Sequence, residues 1–239
     1  MTTHYWSLIR GKGNCNSAIY TNQDKTLFLK SLLLASDDFQ TMNMEDKKIL
    51  ESDKVLVWKE LKICLLLYNF LNINKLPSLK FYKSSLESKA NIFSLNLIFE
   101  FVPMTLKEYI ISKPHCVIHA IIQVFFQCYY LDLLHIHHND IHARNILVKS
   151  TPKKNLKIYF DGRGYVLEEQ NIECLLIDFG FAKIDETKSN FQSFKKFIKQ
   201  LEKDLGKNLF PNIKNSWKTS FPFLKNYLKI DELEKKIIR

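Results

Sequence analysis

The stretch IHHNDIHARNILV, residues 136–148, places an acid and an amide five residues apart among several histidines. Asp140 carries the carboxylate and Asn145 the amide. Such a cluster is typical of three features: a metal site, the end of a helix, or a catalytic loop. A zinc site needs a further group of cysteines or acids at ligand spacing, and no such group accompanies these histidines: His135, His137, His138 and His142.

The neighbouring segments favour the catalytic loop. A long apolar helix is predicted to end just before this stretch, and a strand begins at its last residues, so Asp140 and Asn145 lie between two regular elements. Loops on rigid supports are where catalytic groups concentrate. Further along, LLIDFGFAK places Asp178 at the end of a short apolar strand, directly before Phe-Gly.

The order of Asp140, Asn145 and then Asp178 with Phe-Gly is the catalytic set of protein kinases, and the sequence resembles the eukaryotic protein kinase family. The resemblance implies ATP and Mg²⁺ as cofactors. Asp140 would accept the proton of the substrate hydroxyl, and Asn145 and Asp178 would supply oxygen ligands to the metal. Gly180 would give the turn its backbone freedom.

Upstream segments resemble the nucleotide-binding half of that family. Gly11 and Gly13, within residues 9–20, match the glycine-rich loop over the phosphates, and Ala18 stands at the position that covers the adenine. Lys30, in the run LFLK, resembles the phosphate-binding lysine. Glu60, on the helix that follows, is predicted as its partner, with Glu45 and Glu51 as alternatives.

Residues 97–103 resemble the hinge that binds the adenine edge. Phe99 would be the gatekeeper, and Glu100, Phe101 and Val102 would present backbone groups to the nucleotide.

Three residues of the loop refine the resemblance. His138 is interpreted as the structural histidine that packs beneath the catalytic loop. Arg144 stands where tyrosine kinases have an arginine that helps place the substrate. His142 matches the Asp-x-His-x-x-Asn form of haspin-type kinases and small-molecule phosphotransferases, and is predicted to take part of the role of the usual γ-phosphate lysine.

The sequence also departs from the family. Asn139 replaces the arginine that reads an activation-loop phosphate, so activity is predicted not to need that phosphate. Residues 157–169 form an extra strand pair, similar in kind and place to an insertion of haspin-like and some viral kinases. No Ala-Pro-Glu follows Asp178, so the rules of substrate docking cannot be carried over, and residues 191–239 show only a helical pattern.

The elements that must position these groups are read from hydrophobic periodicity and turn residues. A polar stripe of His115, His119, Gln123 and Gln127 along the long helix favours burial in a protein over a membrane span. Strands are predicted at 5–35, 79–83, 92–102, 146–149, 157–167 (turn at Asp161-Gly162) and 174–178, and helices at 45–71, from 106, at 115–136 and after 191.

Composition sets the outer limits. The chain has 239 residues, is 46% hydrophobic and carries a formal net charge of +10, which favours acidic partners such as nucleotides, acidic proteins or nucleic acid. Most lysines are interpreted as a solvated surface. Five scattered cysteines without a CxxC pair indicate a reducing compartment, and no signal peptide is predicted.

Together these features predict an α+β chain with a two-lobed protein-kinase-like fold. Residues 1–239 would form a single kinase domain, with a small antiparallel β-sheet N-lobe at about 1–102 and an abbreviated, mainly helical C-lobe at about 103–239. The expected protein is a monomer in the cytoplasm or nucleus, without stable nucleic-acid binding or membrane attachment. The Asn/Lys-rich composition associates it with viruses or AT-rich parasites.

The expected activity is phosphorylation of serine or threonine in protein substrates, with basic or nucleic-acid-associated proteins among the candidates. Tyrosine remains open as the acceptor. Two alternatives also remain: a small-molecule kinase of the aminoglycoside-phosphotransferase type, which His142 favours, and a pseudokinase scaffold. The presence of Lys30, Asp140, Asn145 and Asp178 speaks against the scaffold.

Overall fold

The computed structural model describes residues 6–10, 17–34, 56–73, 81–89, 92–113, 117–210, 213 and 216–230. It confirms the α+β class. The chain divides into two compact units, one formed by residues 1–70 and 79–102 and the other by residues 71–78 and 103–239.

The first unit contains a five-stranded antiparallel sheet in the order β1-β2-β3-β5-β4 and a helix, α1. Side chains at alternate positions of β3 and β5 meet α1 in a core that includes Leu32, Leu61 and Leu97, as the period of two predicts for a sheet buried on one face. The elements are β1 Trp6–Arg10, β2 Ser17–Asn22, β3 Leu27–Leu34, α1 Leu56–Ile73, β4 Phe81–Lys89 and β5 Ile92–Glu100.

The second unit combines helices with a long β-hairpin. Helix α2 begins with a capping box, in which the Thr105 hydroxyl accepts from the amide of Glu108 and the Glu108 carboxylate accepts from the amide of Thr105. The elements are α2 Leu106–Ser112, α3 Val117–Leu133, β6 Ile136–His137, β7 Ile146–Phe160, β8 Arg163–Leu176, β9 Lys183–Ile184, α4 Phe191–Leu205, α5 Trp217–Lys225 and β10 Lys229–Ile230.

One long hairpin of β7 and β8 takes the place of the short strand at 146–149, the strand pair at 157–167 and the short strand at 174–178 that the sequence predicts. Its turn is confirmed: Asp161 and Gly162 have φ values of +49° and +76°, as a type I′ turn requires. In its middle, residues 152–155 of β7 are exposed, lysine and glutamate are frequent, and the register is irregular between Ser150 and Leu156. Apolar alternation is therefore lost in that part of the sequence, although the strands continue through it.

The polar stripe of α3 hydrogen-bonds to the edge of β8. Gln123 donates to the carbonyl of Ile172 at 3.1 Å and accepts from the amide of Cys174 at 2.8 Å. Gln127, one turn later, donates to the Cys174 carbonyl and accepts from the amide of Leu176 at 2.8 Å. The two glutamines thus satisfy backbone groups that a fully apolar helix would leave unpaired. Within the described ranges, no helix has the length and hydrophobicity to cross a membrane.

Aromatic side chains join the end of the hairpin, α3 and the C-terminal helices into one core. Phe160 stacks on Phe221 of α5 at 4.2 Å between ring centroids, and Phe125 of α3 lies edge-on to Trp217 at 4.7 Å. The hairpin is therefore built into the core of the second unit. The helical pattern of the C-terminal segment is seen in α4, which buries five apolar side chains: Phe191, Phe194, Phe197, Ile198 and Leu201.

Candidate functional site

In the first unit, the structure brings Lys30 and Glu60 together. Lys30 lies in the middle of β3, opposite Ile19 of β2 and Leu97 of β5. Its ammonium lies 2.6 Å from the Glu60 carboxylate on α1, and the two side chains are only 10% and 5% exposed. A buried ion pair of this kind holds an ammonium in a fixed position. Glu45 and Glu51, the alternative partners, lie outside the described residues.

The structure describes some of the other residues that the sequence predicts to bind the nucleotide. Gly11 and Gly13 lie outside the described residues, and Ala18 is half-buried on β2. Phe99 is buried in the core of the unit and stacks on Phe28 with ring centroids 4.9 Å apart.

One of the backbone groups in the predicted hinge already has a partner within the first unit. The amide of Phe101 donates to the carbonyl of Thr26 at 2.8 Å, so this N–H group is already used within the first unit. Glu100 and Val102 are both buried.

In the second unit, Asp140 and Asn145 lie in the loop between β6 and β7, as the sequence predicts. The Asn145 amide nitrogen donates to both the main-chain carbonyl and the Oδ2 atom of Asp140, at 3.1 and 3.0 Å. These bonds use both hydrogens of the amide and fix its orientation. Within the described residues, Oδ1 of Asn145 and Oδ1 of Asp140 accept no hydrogen bond, and the Asp140 side chain is 38% exposed.

His138 lies fully buried beneath this loop. Its Nε2 atom lies 3.0 Å from the carbonyl of Ile177, and its Nδ1 atom accepts from the amide of Asp140 at 3.3 Å. The two partners together require a neutral ring with its proton on Nε2. Burial lowers the pKa of His138, against the opposing effects of the Ile177 carbonyl and of Asp178 and Asp140.

His142 faces Asp140. Its Nδ1 atom accepts from the amide of Arg144 at 3.2 Å, so the Nε2 atom, 3.5 Å from Oδ2 of Asp140, carries the proton of the neutral ring. His142 can therefore present an N–H group beside the carboxylate. The Arg144 side chain is exposed.

Asp178 lies in the segment that follows β8, one residue after the backbone bond that joins it to the loop. The amide of Ile177 donates to the carbonyl of Asn145 at 2.9 Å. Asp178 has φ +66° and ψ +72°, a left-handed conformation that is uncommon for an aspartate and often marks functional turns. A short 3₁₀ turn, Phe179–Phe181, follows, and Phe179 packs on the His138 ring at 4.9 Å between centroids.

The segment after Asp178 is tied back to the loop. Strand β9 pairs with β6, and the amide of Asp185 donates to the carbonyl of His135 at 2.8 Å. Asn139, which stands where the family has its phosphate-reading arginine, donates to the carbonyl of Phe181 at 2.9 Å.

Two residues near the loop had no sequence signal that singled them out. Asn190, directly before α4, is fully buried and accepts from the amide of His138 at 2.8 Å. Asp132, near the end of α3, accepts from the side chain and the main chain of Asn190 at 2.7 Å each. Each of these bonds joins residues that are more than fifty positions apart in the sequence, so no local spacing could have indicated them.

The donor set fits Mg²⁺ better than zinc. Asn145 and Asp178 offer an amide and a carboxylate oxygen, and a magnesium site completes its coordination with water and phosphate oxygens. Structural zinc sites are built mainly from cysteine sulfur and histidine nitrogen in tetrahedral geometry. The described part of the chain contains no group of three or more His, Cys, Asp or Glu side chains that could hold a metal ion.

No protein-family model matches the chain, and no curated protein matches it.

Proposed function

We propose that the chain is a protein kinase that transfers the γ-phosphate of ATP to serine or threonine hydroxyls of protein substrates. The observation that carries the proposal is the arrangement of the second unit, where Asn145 is hydrogen-bonded to Asp140 and, through its carbonyl, to the residue before Asp178. An acid, an amide and a second acid on one loop and the turn beside it are the groups that phosphoryl transfer requires.

Asp140 is the group that handles the acceptor. Its Oδ2 atom is held by Asn145, which leaves Oδ1 to accept the proton of a substrate hydroxyl and to orient its oxygen. His142 presents its N–H group beside the same carboxylate and can donate to a phosphate oxygen. Both side chains are open enough to solvent to meet a substrate.

Asn145 and Asp178 would hold Mg²⁺, which neutralises the charge on the phosphate oxygens when it is bound. Lys30, kept in place by Glu60, would bind the phosphates of the nucleotide. Asn139 holds the segment after Asp178 with a neutral amide, which supports activity without phosphorylation of that segment.

A small-molecule kinase is the second candidate. It is favoured by His142, which lies 3.5 Å from Asp140 in the Asp-x-His-x-x-Asn arrangement. The acceptor, rather than the phosphate donor, separates this candidate from the first.

The experiment is incubation of the full chain with γ-labelled ATP and Mg²⁺, with either a mixed protein extract or a set of aminoglycosides, followed by phosphoamino-acid analysis. Label on serine or threonine is expected. Asp140→Asn should lower the transfer rate by about a thousandfold, because general acid–base groups contribute about 10²–10⁴. The asparagine keeps the shape of the side chain, so the loop should still fold.

Three results would contradict the proposal. Label on aminoglycosides alone would favour the small-molecule kinase. Label confined to tyrosine would correct the acceptor. Nucleotide binding without transfer, unaffected by Asp140→Asn, would favour the scaffold.

A further inference from the structure

A hydrogen-bond chain links the C-terminal helix α5 to the candidate catalytic loop. It starts at Trp217, whose indole Nε1–H donates to Oδ2 of Asp132 at 2.6 Å. The hydroxyl of Ser189 donates to the same oxygen. Asp132 therefore receives bonds from α5 and from the segment before α4, in addition to those from Asn190.

Asn190 carries the link from Asp132 to the loop. Its Nδ2 atom donates to Asp132 and to the carbonyl of Ile136, at 2.7 Å each, and its Oδ1 atom accepts from the amide of His138. Both hydrogens of this amide are used, and the residue is fully buried. A buried amide with this many partners has one orientation and holds them in fixed positions.

The last step of the chain runs through His138, whose Nδ1 atom accepts from the amide of Asp140. A path of hydrogen bonds thus leads from Trp217 through Asp132, Asn190 and His138 to the residue assigned to the acceptor hydroxyl.

We propose that Trp217 is a positioning residue, which sets the place of the Asp140 loop through Asp132 and Asn190. The inference rests on the function proposed above. It gives the C-terminal segment, which lies outside the part that resembles a kinase, a role in the reaction. Bonds to a carboxylate are stronger than bonds between neutral groups. Loss of the indole N–H would leave the Ser189 hydroxyl as the remaining described donor to Oδ2 of Asp132, and would let the Asn190 amide and the loop shift with the carboxylate.

Packing must be separated from hydrogen bonding, because the Trp217 ring also lies edge-on to Phe125 and Phe191 at 4.7 and 4.8 Å. Trp217→Phe keeps an aromatic ring at this position and removes the N–H group. Tyr130→Phe is the matched control. It removes a hydroxyl of α3 that accepts from the amide of Tyr159 at 2.9 Å, and this buried hydrogen bond is not part of the path from Trp217 to Asp140.

The experiment measures kcat, the KM for ATP and hydrogen exchange of the 136–145 segment in the full-length chain. Trp217→Phe is expected to lower kcat by about tenfold, since misplacement of reacting groups by about 1 Å can cost 10²-fold and this change removes one bond of several. The KM for ATP should stay unchanged, and exchange in the segment should quicken by about tenfold. Tyr130→Phe should lower the melting temperature without either effect.

Two results would overturn the inference. In one, Trp217→Phe leaves kcat and the exchange of the segment at their wild-type values. In the other, both variants lower kcat in proportion to their loss of stability, which would make Trp217 a packing residue only. If the wild type transfers no phosphate, the proposed function fails, and the exchange measurement still tests the link between Trp217 and the loop.

Discussion

The Lys30–Glu60 pair of the first unit and the Asp140 loop of the second unit differ in how they are held. In the pair, two buried opposite charges lie 2.6 Å apart. The loop is held by several bonds of ordinary strength, from Asn145, His138 and Asn190. In the proposed kinase, both arrangements would place a charged group that phosphoryl transfer needs.

The difference concerns what happens when one group is removed. Removing one member of a buried ion pair leaves the other charged in a poorly solvated place, which is costly for stability. Removing one bond of the network leaves the others in place and unpairs a neutral group, which costs less stability than an unpaired buried charge, so the expected effect is mainly on position. Substitutions in the Lys30–Glu60 pair should therefore mainly lower the free energy of unfolding. Substitutions in the Asp140 loop should mainly lower the rate of phosphate transfer.

The largest expected effect on stability is that of Glu60→Ala. This change removes the carboxylate 2.6 Å from the buried Lys30 ammonium and should lower the free energy of unfolding by about 3 kcal/mol. The measurement is urea denaturation. Combining Lys30→Met with Glu60→Leu should restore much of the loss, because the double variant removes both charges of the pair.

Lys153→Ala is the matched control for that prediction. It breaks an exposed pair with Glu169, whose atoms lie 3.5 Å apart, and should change the free energy of unfolding by less than about 1 kcal/mol. Equal losses from Glu60→Ala and Lys153→Ala would contradict the expected cost of leaving the buried Lys30 charge without Glu60.

A smaller effect on the free energy of unfolding is expected when the pH is lowered, because His138 lies beneath the loop. Burial holds the pKa of His138 below its value in the unfolded chain, so the unfolded state takes up the proton first as the pH falls. This contribution to stability is complete above about pH 6.5 and is lost as the pH falls towards the lower folded-state pKa. Urea denaturation at several values between about pH 7.5 and about pH 5 should show this loss in the free energy of unfolding.

His138→Asn should reduce that dependence on pH. His119, whose pKa is also lowered by burial, contributes with the same sign, and His119→Asn measures its share. Stability that rises in the wild type as the pH falls below about 6.5 would contradict a neutral His138 in the folded loop.

The smallest expected effect is that of Thr187→Ala. Thr187 is exposed and bonds only to Asp185 among the described contacts, and Asn139 ties this segment to the loop without a phosphate. Transfer should be unchanged, also after phosphatase treatment. Ser189 is not an equivalent test site, since its hydroxyl donates to Asp132. A large loss of transfer in Thr187→Ala with normal folding would show that a modified segment is needed.

Local patterns predicted the elements that have regular periods or distinctive turns. The alternation of β3 and β5 and the Asp161-Gly162 turn each depend on neighbouring residues, and the structure has them. The middle of β7, residues 152–155, lacks such a pattern, because all four of its residues are exposed. Its continuity follows from pairing between β7 and β8, which no short window of sequence contains.

In the candidate site, too, some residues could be predicted from local sequence and others could not. The loop with Asp140 and Asn145 lies where its flanking elements place it, since both residues belong to one short segment. Asp132, Asn190 and Trp217 meet across 58 and 85 residues of chain, and only the packing of α3, α4 and α5 brings them together. The glutamines of α3 were visible as a polar stripe, although their partners on β8 were not.

The proposed function requires Asn145 and Asp178 to act on one metal-bound nucleotide. Its most direct test is a double-mutant cycle in which calorimetry gives the ATP affinity of the wild type, Asn145→Ala, Asp178→Asn and the double variant, with and without Mg²⁺. We predict that the two changes couple by at least about 1 kcal/mol with Mg²⁺ present and not in its absence. Additive effects, or an ATP affinity that does not depend on Mg²⁺, would contradict the claim.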